Sequence, residues 1–129
     1  MKYDLSRRPY TLLDCYDGLE EYFSPRVIGK LNDSYIKIAK IKGDDLPWHH
    51  HEKEDELFIV IKGKLKFESA EHGTFALSEG QAFIIKHGIE HRVSATEECY
   101  ILLIEPVTTA HTGQVKSKMT KSISDQLGE

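Results

Sequence analysis

The stretch Gly43-Asp-Asp-Leu-Pro-Trp-His49-His50-His51-Glu-Lys-Glu-Asp-Glu56-Leu-Phe-Ile-Val-Ile-Lys-Gly63 decides the reading of this chain. It has the form G-x5-H-x-H-x4-E-x6-G, and a second stretch, from Gly80 through Gly88 to His91, has the form G-x7-G-x2-H. In an extended segment residues two apart point to the same face, so His49 and His51 share one side and His50 faces the other. Glu56 follows at the head of an apolar run, Leu57 to Ile61, and His91 arrives from a later hairpin. Three imidazoles and one carboxylate, His49, His51, His91 and Glu56, read as a metal site. This donor set suits a divalent transition ion (Fe, Mn, Ni, Zn, Co or Cu) and disfavours Ca or Mg, without choosing among the former.

These two stretches resemble the paired motifs of the cupin superfamily. The resemblance spans roughly residues 43 to 95, motif 1 being 43–63 and motif 2 being 80–95. It implies an all-β double-stranded β-helix, the jelly-roll barrel, preceded here by a short N-terminal helix, with residues 1–129 as a single cupin domain. Carried over position by position, it makes His49, His51, Glu56 and His91 the metal ligands. Cupins often carry Pro where this chain has Lys86 and Asn where it has Ala95, but neither position supplies a ligand. Trp48 to Glu56, with Leu103-Ile-Glu-Pro106 and Thr112-Gly113, further resembles small microbial cupins loosely described as mannose-6-phosphate-isomerase-like.

A chain of 129 residues suits one domain in which barrel and site coincide. With a formal charge of -4 and no room for a helix-turn-helix, it is a poor nucleic-acid binder. Its apolar runs are strand-length, too short for a membrane helix, and Met1 to Arg8 lacks the apolar core of a signal peptide, so a cytoplasmic location is expected. Cys15 and Cys99 lie far apart in apolar segments and suit reduced core thiols.

From Thr11 to Phe23, Leu12, Tyr16, Leu19 and Phe23 fall at helical spacing, with Thr11 and Asp14 as a capping pair and Ser24-Pro25 as the stop. Thereafter turn signals recur at short intervals, the signature of a sandwich or barrel. If Glu56 points inward so do Phe58 and Val60, leaving Leu57, Ile59 and Ile61 as an outward apolar row. That row needs a cover, which the N-terminal segment or a second subunit would supply, and a homodimer is expected. Lys64 to Glu68 alternates and should have one wet face. Phe58, Val60, Phe67, Phe83, Ile85, Ile89, Val93 and Tyr100 are candidates for the barrel lining, Tyr35 and Tyr100 are candidates to offer a substrate a hydroxyl, and the polar tail, about 115–129, is expected frayed or as a short helix.

Other residues near the motifs read more plainly. His50 is exposed or outside the ligand set, His87 is solvated, and His72 and His111 are turn residues without a role. Glu52, Glu54 and Asp55 form a solvated face unless one of them orients a ligand imidazole. Trp48 is expected to pack beneath a neighbouring strand. No acid–base pair beyond the ligands stands out, and Lys53 and Lys86 are the cations near the motifs, which favours an apolar or aromatic small-molecule substrate over a phosphosugar. Two functions fit: an enzyme whose metal keeps open positions for oxygenation, isomerisation or lysis, and a noncatalytic small-molecule or metal-binding module.

Overall fold

The computed structural model describes residues 1–113 and 121–128. Seven strands follow one another: β1 (Arg26–Leu31), β2 (Ser34–Gly43), β3 (Glu56–Lys62), β4 (Lys64–Ser69), β5 (Gly73–Ser78), β6 (Ala82–Ile85) and β7 (His91–Pro106). All pairings are antiparallel: one sheet runs β1-β2-β7-β3-β6, and the other joins β5 to β4 and β4 to β7. The long β7 therefore serves both sheets. Its first residues, His91 to Ser94, pair with β4, and from Cys99 onward it lies between β2 and β3. This is the jelly-roll closure expected for the chain, and it carries the second motif directly onto the first.

Alternation sorts the side chains as the sequence demanded. Phe58, Val60, Phe67, Ile85 and Val93 are buried in the barrel core, with Phe83 and Ile89 packed against it. Tyr100 is a correction: it stands between Cys99 and Ile101, which point inward, so its ring lies outside the barrel and stacks on Tyr16 at 4.7 Å between centroids. At the β3–β4 turn Gly63 has φ 90°, and a Cβ there would lie 2.9 Å from the Glu98 carbonyl oxygen, so only glycine lets the hairpin close against β7. In β4, Lys64 and Lys66 are exposed while Leu65 and Phe67 are buried.

The N-terminal helix is one 3-10 turn, Leu12–Tyr16, and does not continue to Phe23. Gly18 at φ 74° and Phe23 at φ 56° break the helical path. Thr11 makes no side-chain cap; its carbonyl instead accepts from Asp14 N–H. The spacing still predicted burial correctly, because Tyr16 and Leu19 cover the outer face of β2 and β7 while Phe23 enters the barrel core. Ile59 and Ile61 pack against this outer cluster. Tyr16 is anchored by donating its hydroxyl to the Ile101 carbonyl at 2.6 Å. Cys15 and Cys99 are free and buried, one in each cluster. Part of the polar tail forms a short helix, α1 (Ile123–Leu127), capped by the Ser122 hydroxyl; residues 114–120 and 129 lie outside the described residues.

Candidate metal centre

The segment before β3 is held extended by backbone bonds to the segment before β7. His49 N–H donates to the His91 carbonyl at 3.0 Å, His91 N–H returns a bond to the His49 carbonyl at 2.9 Å, and Gly88 N–H donates to the His51 carbonyl at 2.7 Å. This bridge aligns His49, His51 and His91. Glu56, the first residue of β3, completes the group from the adjoining strand. One donor atom from each of the four lies within 4.8 Å of the others, and all four side chains are buried. Such a group could hold a metal ion.

The hydrogen bonds tell which nitrogens are available. His49 Nδ1 lies 2.9 Å from the Pro47 carbonyl oxygen and His91 Nδ1 lies 2.8 Å from that of Ile89. A carbonyl can only accept, so each Nδ1 carries a proton, and Nε2 is the nitrogen each ring turns inward. His91 Nε2 and His51 Nε2 stand 3.2 and 3.0 Å from the same Glu56 oxygen. These three atoms are buried without a hydrogen-bond partner. Buried polar atoms left without partners carry a penalty, which a cation between them would remove. The residues therefore fit a metal ion, with backbone carbonyls as the outer orienting groups. The carboxylate alternative for that role is not realised among the described residues: Glu52 and Glu90 hold His50, and Asp55 holds Lys86 and His87, all on the exposed side.

Burial, and then the neighbouring His91, lowers the His49 pKa to about 4, which keeps its imidazole neutral and ready to ligate. Burial raises the Glu56 pKa, but His51 and His91 lower it further, so the carboxyl stays below its ordinary range. Phe67 stacks on the His91 ring at 5.8 Å and 13°, holding the plane of that imidazole. Trp48 is 41% exposed, with the Arg92 guanidinium over its ring at 5.4 Å; it does not pack beneath a strand, because it lies on the face opposite the histidines.

Beside the four residues is a cavity of about 50 Å³, room for roughly three or four ordered waters. Its apolar wall includes Phe23, Leu46, Phe58 and Val93, and its polar wall adds Glu105 and His111 to His49, Glu56 and His91. The sequence reading missed these additions. Burial, followed by the neighbouring Glu56 charge, raises the Glu105 pKa well above the usual carboxylate range. Lys37, 1% exposed, donates to Glu105 at 3.1 Å and to Gln126 of α1 at 2.5 Å. An acid pair and a buried cation thus do adjoin the site, contrary to the expectation from the motifs alone. Alternation could have placed Lys37 on the inner face with Ala39 and Ile41, and the Leu57–Ile104 pairing sets Glu105 opposite Glu56.

Residues 40–105 match the cupin domain family. The chain belongs to that family. It is 32% identical over 94 residues to YdbB of Bacillus subtilis, covering 73% of this chain and 82% of that protein. The crystal structure of a cupin-2 domain protein from Shewanella frigidimarina superposes with a TM-score of 0.73 at 34% identity, covering 79% of this chain and 98% of that one. A hydroquinone 1,2-dioxygenase solved with Cd2+ and 4-hydroxybenzonitrile shares the fold at a TM-score of 0.63 and 17% identity, over 74% of this chain and 71% of that one.

Proposed function

We propose that this cupin is a metal-dependent enzyme in which His49, His51, Glu56 and His91 ligate one divalent transition ion that acts on a small organic substrate, by oxygenase-like or isomerase-like chemistry. One observation carries the reading: two buried imidazole nitrogens converge on a buried carboxylate oxygen, and none of the three atoms has a hydrogen-bond partner. When bound, the ion would supply a Lewis acid or redox centre with positions left open to substrate. The chain's own residues do the rest. The Pro47 and Ile89 carbonyls orient the ligand rings, the apolar wall excludes water, and Glu105, its pKa raised by burial and the Glu56 charge, stands as an acid beside the site. A carboxyl of raised pKa in the cavity wall favours an enzyme over a noncatalytic module, which needs no acid at the ligand's edge.

The single domain, 1–129, is proposed to act in the cytoplasm without nucleic-acid or membrane partners; no described helix is long and apolar enough to cross a membrane. A homodimer is also proposed. Ile36, Ile104, Leu57 and Ile84 form one row across four strands of the outer face, and Ile84 is 53% exposed beyond the N-terminal cover. The test of function is elemental analysis of tag-free protein from its native host, followed by an oxygen-uptake screen with small organic substrates. One transition ion per chain and turnover are expected. Ligand binding without turnover favours the noncatalytic module, and protein free of transition metal refutes the metal centre.

A further inference from the structure

His111 looks like a turn residue in the sequence, yet the loop that carries it is docked on the metal segment. Gly113, at φ 59°, lies so close to that segment that a Cβ would sit 2.0 Å from the His50 carbonyl oxygen. Thr112 is fully buried and Thr109 nearly so. The loop is further tied by Val107 N–H to the Asp33 carbonyl and by Thr109 N–H to the Pro106 carbonyl. The His111 ring is thereby set in the cavity wall beside His49, Glu56 and Glu105.

Its tautomer is the reverse of that of His49 and His91. The backbone N–H of Lys121 donates to His111 Nδ1 at 2.9 Å. An N–H can only donate, so Nδ1 holds the lone pair and the proton of the neutral ring is on Nε2. Burial, followed by the Lys37 charge, lowers the pKa of this ring to about 4 and keeps it neutral. His111 does not belong to the group of converging ligand atoms, and its remaining nitrogen carries a proton, so it is unsuited to ligation. What it offers is an N–H donor in a wall whose other polar groups are His49, His91 and the carboxyls of Glu56 and Glu105.

We propose that His111 is a substrate-binding residue whose Nε2–H donates to an acceptor oxygen of a compact anionic ligand, such as a carboxylate or enolate. The proposal rests on the metal reading above, since a second ligand oxygen is taken to sit at the ion. Charge supports it: a divalent ion with Glu56 leaves a net positive centre, and buried Lys37 adds to it. Lys121 acts through His111, so the C-terminal segment sets the donor's direction.

The test uses zinc-loaded full-length protein, which is diamagnetic, with oxalate as the probe. Long-range 1H–15N correlation should show His111 protonated at Nε2, with that signal moving when oxalate is added. In calorimetry His111→Leu should keep one zinc per chain while oxalate Kd rises about tenfold or more, and His111→Gln, which retains an N–H donor, should recover most of the affinity. Nδ1 protonation, no oxalate binding by the unmodified protein, or an unchanged Kd in His111→Leu would each overturn this inference and leave the metal centre standing. Loss of zinc in His111→Leu would overturn it by making the ring a ligand or a prop. Failure of the unmodified protein to take up zinc would overturn both readings.

Discussion

Phe67→Ala is expected to separate the two duties of the aromatic core. Phe67 is fully buried on β4, edge-on to Phe58 at 5.2 Å and 85°, stacked with Phe75 at 5.3 Å and 15°, beside Phe83 at 5.2 Å, and face to face with His91. Truncation at such a site removes the transfer free energy of the ring and leaves a cavity its rigid neighbours cannot fill, a loss of about 3–5 kcal/mol. At about 2.1 cal/mol/K per residue, unfolding this 129-residue chain carries an entropy near 0.27 kcal/mol/K, so Tm of the chelated protein should fall by about 11–18 °C. The freed His91 ring should also weaken zinc binding, by roughly tenfold to a hundredfold. Urea unfolding of the chelated protein measures the first effect and zinc calorimetry below the transition measures the second. A stability loss under about 1 kcal/mol would refute the packing argument. Full stability loss with unchanged zinc affinity would show that the Nδ1 bond to Ile89 alone orients the imidazole.

Four further expectations follow from particular residues. His51→Ala should abolish stoichiometric metal uptake by elemental analysis while His50→Ala leaves it intact, because His50 is turned outward to Glu52 and Glu90; retained stoichiometry in the first variant refutes the ligand set. Chelated protein should keep its β-sheet circular dichroism, since the barrel core is independent of the site, and complete unfolding on chelation would make the ion structural. Below pH 6.5 the unfolded chain protonates His49 and His111, which the fold keeps neutral to about pH 4, while Glu105 keeps a proton in the fold that the unfolded chain releases. Two histidines gain protons and Glu105 offsets at most one of them, so unfolding takes up between one and two protons between pH 4.5 and 6.5, and chelated protein should lose about 1.4–2.7 kcal/mol per pH unit as pH falls through that window; urea midpoints flat with pH would contradict this. Ile84→Asp should yield monomers by light scattering with little change in Tm, and a monomeric unmodified protein at micromolar concentration would refute the dimer.

Local pattern determined much of this protein. Two-residue spacing put His49 and His51 on one side, Glu56 opened an alternating strand, and turn residues divided the chain into short strands, so the all-β fold and the four converging residues were legible before any contact was known. The N-terminal segment was legible in its apolar spacing, but not in its path. Burial follows from which residues are apolar, whereas the path was decided by positive φ at Gly18 and Phe23. What only tertiary structure decided lies in pairings between distant segments. Sequence shows a lysine in an alternating strand, a glutamate before a proline and a histidine before Thr-Gly, each unremarkable alone. Closure of the barrel sets Glu105 against Glu56, seats Lys37 between Glu105 and α1, and presses the His111 loop onto His50. Spacing encodes neighbours along one strand or hairpin; the protonation of a buried group depends on charges and donors arriving from other strands, and these are set when the sheets close.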